Sequence, residues 1–75
     1  MATPAPLDDI PTSGDTIRLG QFLQVAGLVD SGGEAKDAIR AGEVRVNGEV
    51  DLRRGRQLRA GDIVSIGGRR ARVGE

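Results

Sequence analysis

The chain has 75 residues, a formal net charge of zero at pH 7, and neither cysteine nor histidine. This length gives one domain, near the size at which a single hydrophobic core is only just sufficient, and the composition excludes disulfides, thiolate or imidazole metal sites and histidine-based catalysis. No apolar stretch approaches the roughly 20 residues that span a bilayer, and the N-terminal residues lack the pattern of a secretory signal, so we expect a cytoplasmic protein.

The first 14 residues contain all three prolines and are interpreted as a flexible leader with no core of its own. Residues 15–75 form the single predicted domain, which starts with a short extended piece at Ile17–Leu19. Apolar residues then recur at helical spacing, and these are Leu19, Phe22, Leu23 and Ala26. The pattern predicts a first helix over about residues 19–27.

A second helix is predicted over about residues 32–41. Ser31 and Glu34 have the spacing of a capping box, in which each side chain satisfies an unpaired amide at the start of a helix. An apolar face follows at Ala35, Ala38 and Ile39. Gly42 stands where a left-handed residue would end the helix.

The pattern changes to strand alternation after Gly42. Val44 and Val46 alternate with charged residues, Asn47-Gly48 is a strong hairpin signal, and the return strand is predicted to continue the alternation through Val50 and Leu52. Beyond a basic loop, Leu58 is expected in the core, and a second hairpin is predicted around Gly67-Gly68 with Ala71 and Val73 facing inward. The predicted fold is α+β, with two short helices packed on a small, mainly antiparallel sheet from residues 44–73.

The charges are unevenly distributed along the chain. Residues 1–35 hold one cation and five acids, whereas residues 36–75 hold ten cations and six acids. Such asymmetry indicates a polyanionic partner better than the net value does. Lys36 and Arg40 are four residues apart and so share a helix face. The positive surface is completed by Arg18 near the first helix and by a loop that contains Arg53, Arg54 and Arg56.

This order of elements, with these residues, resembles the RNA-binding domain named after ribosomal protein S-four, whose core is the alpha-L motif. The resemblance rests on the run G-E-V-R-V-N-G-E-V followed by R-R-G-R-x-L-R-x-G-D, and it covers residues 17 to about 66. Within the family the chain looks most like small stand-alone bacterial members, which have S-G-G-x-A-K at the second helix and a doubled arginine after the hairpin.

The resemblance implies binding of structured RNA, of the ribosomal or transfer RNA class. The residues expected to contact it are Arg18, Lys36, Arg40, Arg53, Arg54 and Arg56. Many members carry an acid at the position of Gly20, where it caps the first helix. Many also carry an RNA-contacting arginine at the position of Gly32, so the resemblance does not imply tight or highly specific binding.

The mode of binding follows from the residue types. Guanidinium groups form paired, charge-assisted hydrogen bonds with phosphates, which dominate affinity for RNA. Phe22 is the only aromatic residue and lies on the apolar helix face, so a platform for stacking unpaired bases is missing. We therefore expect a monomer that reads the backbone shape of folded RNA, without cofactor, metal, membrane or small-molecule substrate.

Two kinds of alternative remain open. Lys36 and Arg40 would be only a solvated helix face, and the loop arginines would pair with Glu49 and Asp51 instead of RNA. The second half of the chain also resembles a fragment of the small β-grasp sulfur carriers, but these need a C-terminal Gly-Gly, and this chain ends Val73-Gly74-Glu75. A β-grasp-like protein-interaction module is therefore the second hypothesis. An enzyme is not expected, because no nucleophile–base pair or acid pair is visible.

Overall fold

The computed structural model describes residues 8–11 and 16–74. Two helices are present in this part of the chain, α1 (Leu19–Val25) and α2 (Gly32–Arg40). The strands are β1 (Asp8–Pro11), β2 (Ile17–Arg18), β3 (Val44–Val46), β4 (Glu49–Val50), β5 (Gln57–Leu58), β6 (Ile63–Ile66) and β7 (Arg69–Gly74). The predicted α+β class and the two predicted helices are confirmed.

The main sheet has five strands in the order β1-β7-β6-β3-β4. Its pairings are antiparallel, except that β1 runs parallel to β7. The β3–β4 turn has positive φ at both Asn47 (53°) and Gly48 (87°), as a two-residue turn of the primed type requires. A separate two-stranded sheet pairs β2 with β5. The mainly antiparallel sheet predicted from residues 44–73 is therefore present.

The two helices cover one face of the sheet and form a continuous core with it. Phe22 and Ile39 on the helices are at most 1% exposed, as are Val44 and Val64 on the sheet. Leu58 is also fully buried, as predicted, so the far end of the basic loop is fixed in this core. The core thus connects the helices, the sheet and the loop that carries most of the candidate site.

The two helices begin differently. The Ser31 hydroxyl accepts from the Glu34 amide at 3.1 Å, while the Glu34 carboxylate accepts from the Asp30 amide at 2.9 Å, one residue earlier than in a strict capping box. The N-cap of α1 is Arg18, whose side chain makes no capping bond. Gly20, which the resemblance placed at the cap, lies inside the helix and is buried. The first amides of α1 therefore need other acceptors.

Two features differ from the sequence-based expectation. Residues 8–11, assigned to the leader, form β1 against β7, and the rest of residues 1–14 lies outside the described residues. The return strand β4 has only two residues, and Val50 and Leu52 are 49% and 63% exposed while Asp51 is buried. The two-residue turn is the reason, because it pairs Val50 with the outward-facing Arg45 and so turns Asp51 inward.

Candidate RNA-binding face

The arginine-rich loop between β4 and β5 supplies the acceptors that α1 lacks. The Leu19 amide donates to the Arg56 carbonyl at 2.8 Å, and the Gly20 amide donates to the Arg54 carbonyl at 3.0 Å. A Cβ at Gly20 would lie 2.8 Å from Cγ of Arg54. The loop backbone thus caps the first turn of α1, and the absence of a side chain at Gly20 allows the close approach.

This docking brings two of the predicted cations into one groove. Arg18 and Arg54 line an open groove of about 400 Å³ between the start of α1, the loop and the start of α2. The remaining lining residues are Gly20, Gln21, Gln24, Gly32, Ala35 and Gly55. A Cβ at Gly32 would have Gln24 as its nearest contact, at 3.7 Å, so the groove has space for a side chain at this position.

Lys36 and Arg40 extend the positive surface along α2. Both are exposed, and they follow Gly32 of the groove at successive four-residue steps, which places them on the same flank of the helix. Across residues 8–11 and 16–74, the ion pairs involve none of Arg18, Lys36, Arg40 and Arg54. We call these four residues the basic face.

Arg53 and Arg56, the other two predicted contacts, share a single carboxylate. Asp51 Oδ1 accepts from the Arg53 amide at 2.8 Å and from Arg53 Nε at 3.2 Å. Asp51 Oδ2 accepts from Arg53 at 3.1 Å and from Arg56 at 2.7 Å. We call these three residues the Asp51 cluster. It adjoins the groove at Gly55, which also lines a depression with Arg53 and Arg56.

The cluster fixes the ionisation of the carboxylate. Hydrogen bonds from the Arg53 guanidinium hold the pKa of Asp51 well below its usual range, and those from Arg56 and the Arg53 amide act in the same direction, whereas burial opposes them. The hydrogen bond to the Asp51 carboxylate in turn raises the pKa of the Arg53 guanidinium. Because the folded pKa of Asp51 is depressed, its contribution to stability is complete above the unfolded pKa of about 3.9 and is lost as the pH falls below it.

The structure therefore sorts the six predicted residues into two groups. The four residues of the basic face form no ion pair with any other described residue, and the alternative of pairing with Asp51 holds for Arg53 and Arg56. Glu49 takes no part in that pairing. Sequence analysis missed Asp51 as an organising residue, although the two-residue Asn47-Gly48 turn already implied that position 51 faces inward.

The remaining arginines of the second half lie elsewhere. Arg45 and Arg70 flank Ser65 on three neighbouring strands, on the sheet face that points away from the helices. Arg69 donates to the Gly27 carbonyl and so ties β7 to the loop between the helices. Within the described ranges there is no group of three or more acidic side chains that could hold a metal ion. The helices described are also too short to cross a membrane.

Comparison with known proteins connects this arrangement to one family. The family model described as the S4 domain matches residues 10–74. The probable ribosome maturation protein RlbA of Bacillus subtilis is 53% identical over 60 residues, which cover 77% of this chain and 84% of that protein. The putative RNA-binding protein YbcJ of Escherichia coli is 37% identical over 57 residues, covering 76% and 81%.

A longer relative is tyrosine–tRNA ligase of Burkholderia lata, which is 41% identical over 71 residues. The match spans 88% of this chain but only 17% of the ligase, so the likeness concerns one domain of that enzyme. The family match extends from Ile10 in β1 to the end of β7 and contains both helices, the arginine-rich loop and the basic face. The chain therefore belongs to the S4 domain family.

Proposed function

We propose that this protein binds structured RNA, of the ribosomal or transfer RNA class, mainly through phosphate contacts from the basic face. The observation that carries the proposal is the groove in which Arg18 and Arg54 meet, next to Lys36 and Arg40 on α2. Four exposed cations that form no ion pair within residues 8–11 and 16–74 are available to neutralise phosphates, and arginine engages phosphate through two parallel hydrogen bonds.

The relatives support an RNA partner. Their names refer to ribosome maturation, to RNA binding and to the charging of tRNA. The matches to RlbA and YbcJ cover more than four fifths of the length of each of these small proteins. The likeness therefore extends over most of both proteins and is not limited to one domain of a longer enzyme. We further propose a monomeric, non-catalytic, cytoplasmic protein that binds folded RNA.

The core supports recognition of shape over recognition of unpaired bases. Phe22 is the only aromatic residue of the chain and is fully buried against the sheet, so it offers no face to a base. Phosphate and ribose contacts along a folded RNA remain as the available mode. Arg53 and Arg56 together carry one surplus positive charge after pairing with Asp51, and so add to the field beside the groove.

The proposal predicts a steep salt dependence. If about four to six phosphates are neutralised, a plot of log affinity against log salt for an RNA hairpin should have a slope between about −3 and −5. Fluorescence anisotropy at several potassium concentrations measures this slope, with an unstructured strand of equal length as the comparison. A flat salt dependence would argue against phosphate-led binding, and a preference for the unstructured strand would argue against recognition of shape.

A further inference from the structure

The arginine-rich loop is a tight turn held at both ends by one side chain. The Arg56 amide donates to the Arg53 carbonyl at 3.1 Å, which places Arg54 and Gly55 at the tip. The Asp51 carboxylate accepts from the backbone and side chain of Arg53 at one end and from the side chain of Arg56 at the other. The hydrogen bonds and ion pairs of this carboxylate within the described residues are with Arg53 and Arg56, whereas Arg54 lines the groove.

The turn is also what joins Asp51 to α1. The Arg54 and Arg56 carbonyls cap the Leu19 and Gly20 amides, while the Asp51 amide donates to the Val44 carbonyl of β3 at 3.1 Å. Asp51 thus links the β3–β4 hairpin, the turn and the helix whose N-cap is Arg18. Its side chain is only 5% exposed, so it is unavailable to RNA but is well placed to control the geometry of the turn.

We propose that Asp51 is a positioning residue for RNA binding, which holds the turn against α1 so that Arg54 faces the groove together with Arg18. This inference rests on the proposed function, because its effect is exerted through the phosphate contacts of the basic face. Arg53 and Arg56 then serve mainly as the groups through which Asp51 holds the turn, and their contact with RNA is secondary.

For a substitution of Asp51, the proposal predicts a change in RNA affinity opposite in direction to the change expected from net charge alone. Removing a negative charge beside a phosphate-binding surface should strengthen binding if only the field matters. Asp51→Asn keeps the size of the side chain but replaces one acceptor oxygen with an NH₂ group, which would then face guanidinium donors. The side chain at position 51 then no longer holds both ends of the turn, and Arg54 is no longer held in the groove. The affinity for RNA should therefore fall although the net charge of the protein has become more positive.

Glu49→Gln provides the matched control. Glu49 lies two residues before Asp51, is exposed, and forms no ion pair within the described part of the chain. The two substitutions make the same change of charge in the same region. Binding is measured with a short RNA hairpin at about 0.1 M salt, where each phosphate contact raises the affinity close to tenfold. We expect Asp51→Asn to weaken binding about tenfold. The slope of log affinity against log salt should become shallower by the amount that corresponds to about one phosphate contact. Glu49→Gln should bind equally well or up to about threefold more tightly.

Amide hydrogen exchange keeps the test informative if Asp51→Asn is destabilised. The Leu19 and Gly20 amides, which donate to the turn, should lose protection selectively, whereas the Asn47 amide, which donates to Ile63 in the sheet, should keep it. Wild-type protein that fails to bind the hairpin would overturn the proposed function itself. Wild-type binding together with an Asp51→Asn variant that binds as tightly as Glu49→Gln, or that keeps Leu19 and Gly20 protected, would overturn the role of Asp51 alone.

Discussion

The double substitution Lys36→Glu/Arg40→Glu is expected to abolish measurable binding of a folded RNA hairpin, a loss of at least about a hundredfold. It removes two cations and adds two anions on one flank of α2, which reverses the local field as well as deleting two phosphate contacts. Both side chains are exposed, so each substitution should change the free energy of unfolding by no more than about 0.5 kcal/mol. Anisotropy measures the binding, and circular dichroism confirms the fold.

The matched control for this pair is Arg45→Glu/Arg70→Glu. These two exposed arginines lie on the sheet face away from the helices, and their substitution makes the same change in total charge. We expect the control to weaken binding only severalfold, through the long-range field. Equal losses from the two pairs would mean that total charge matters and not this face. Full binding by the folded Lys36/Arg40 variant would leave the protein-interaction module as the better hypothesis.

Phe22→Ala should destabilise the fold by about 3–5 kcal/mol. Phe22 is fully buried between α1 and the rest of the core, and no other aromatic side chain is present to fill the space. A domain of this size has a total stability of only about 4–11 kcal/mol, so this substitution should remove between about a quarter of the stability and all of it. Urea denaturation followed by circular dichroism gives the change directly.

Val25→Ala, at the C-terminal end of the same helix, is the control for the loss of an apolar side chain. Val25 is 59% exposed, so its truncation should cost no more than about 0.5 kcal/mol. Phe22→Leu should retain both the fold and RNA affinity, since it fills most of the same space and Phe22 stacks on no base. Loss of RNA binding in a stable Phe22→Leu variant would refute the core assignment, as would a Phe22→Ala variant as stable as Val25→Ala.

The local elements could be predicted because their signals are local. Ser31 caps α2 through a bond to the Glu34 amide, and Gly42 ends the α2 segment with a φ of 75°. Asn47-Gly48 makes the predicted turn, and the inward alternation of Val44 and Val46 holds. Each of these assignments depends on residues within about four positions of one another, where backbone sterics and side-chain periodicity decide the structure.

What could not be predicted depends on contacts distant in sequence. Residues 8–11 pair in parallel with β7, across almost the whole chain, and the sequence Asp-Asp-Ile-Pro shows no strand alternation. The groove forms only because the loop carbonyls of Arg54 and Arg56 cap α1, and no residue pattern encodes that long-range pairing. For Asp51, the local sequence contained two signals that disagreed about the direction of its side chain. The turn fixed its orientation, but the apolar residues Val50 and Leu52 on either side indicated the opposite register.

Chemical-shift mapping of the ¹⁵N-labelled protein during titration with an RNA hairpin tests the central claim most directly. The account predicts that the largest amide shifts fall at the start of α1, along α2 from Gly32 to Arg40, and in the turn at residues 53–56. Amides around Ser65 and Arg70 on the far side of the sheet should change little. Shifts concentrated on that far side, or spread evenly over the molecule, would contradict the assignment of the basic face as the RNA-binding surface.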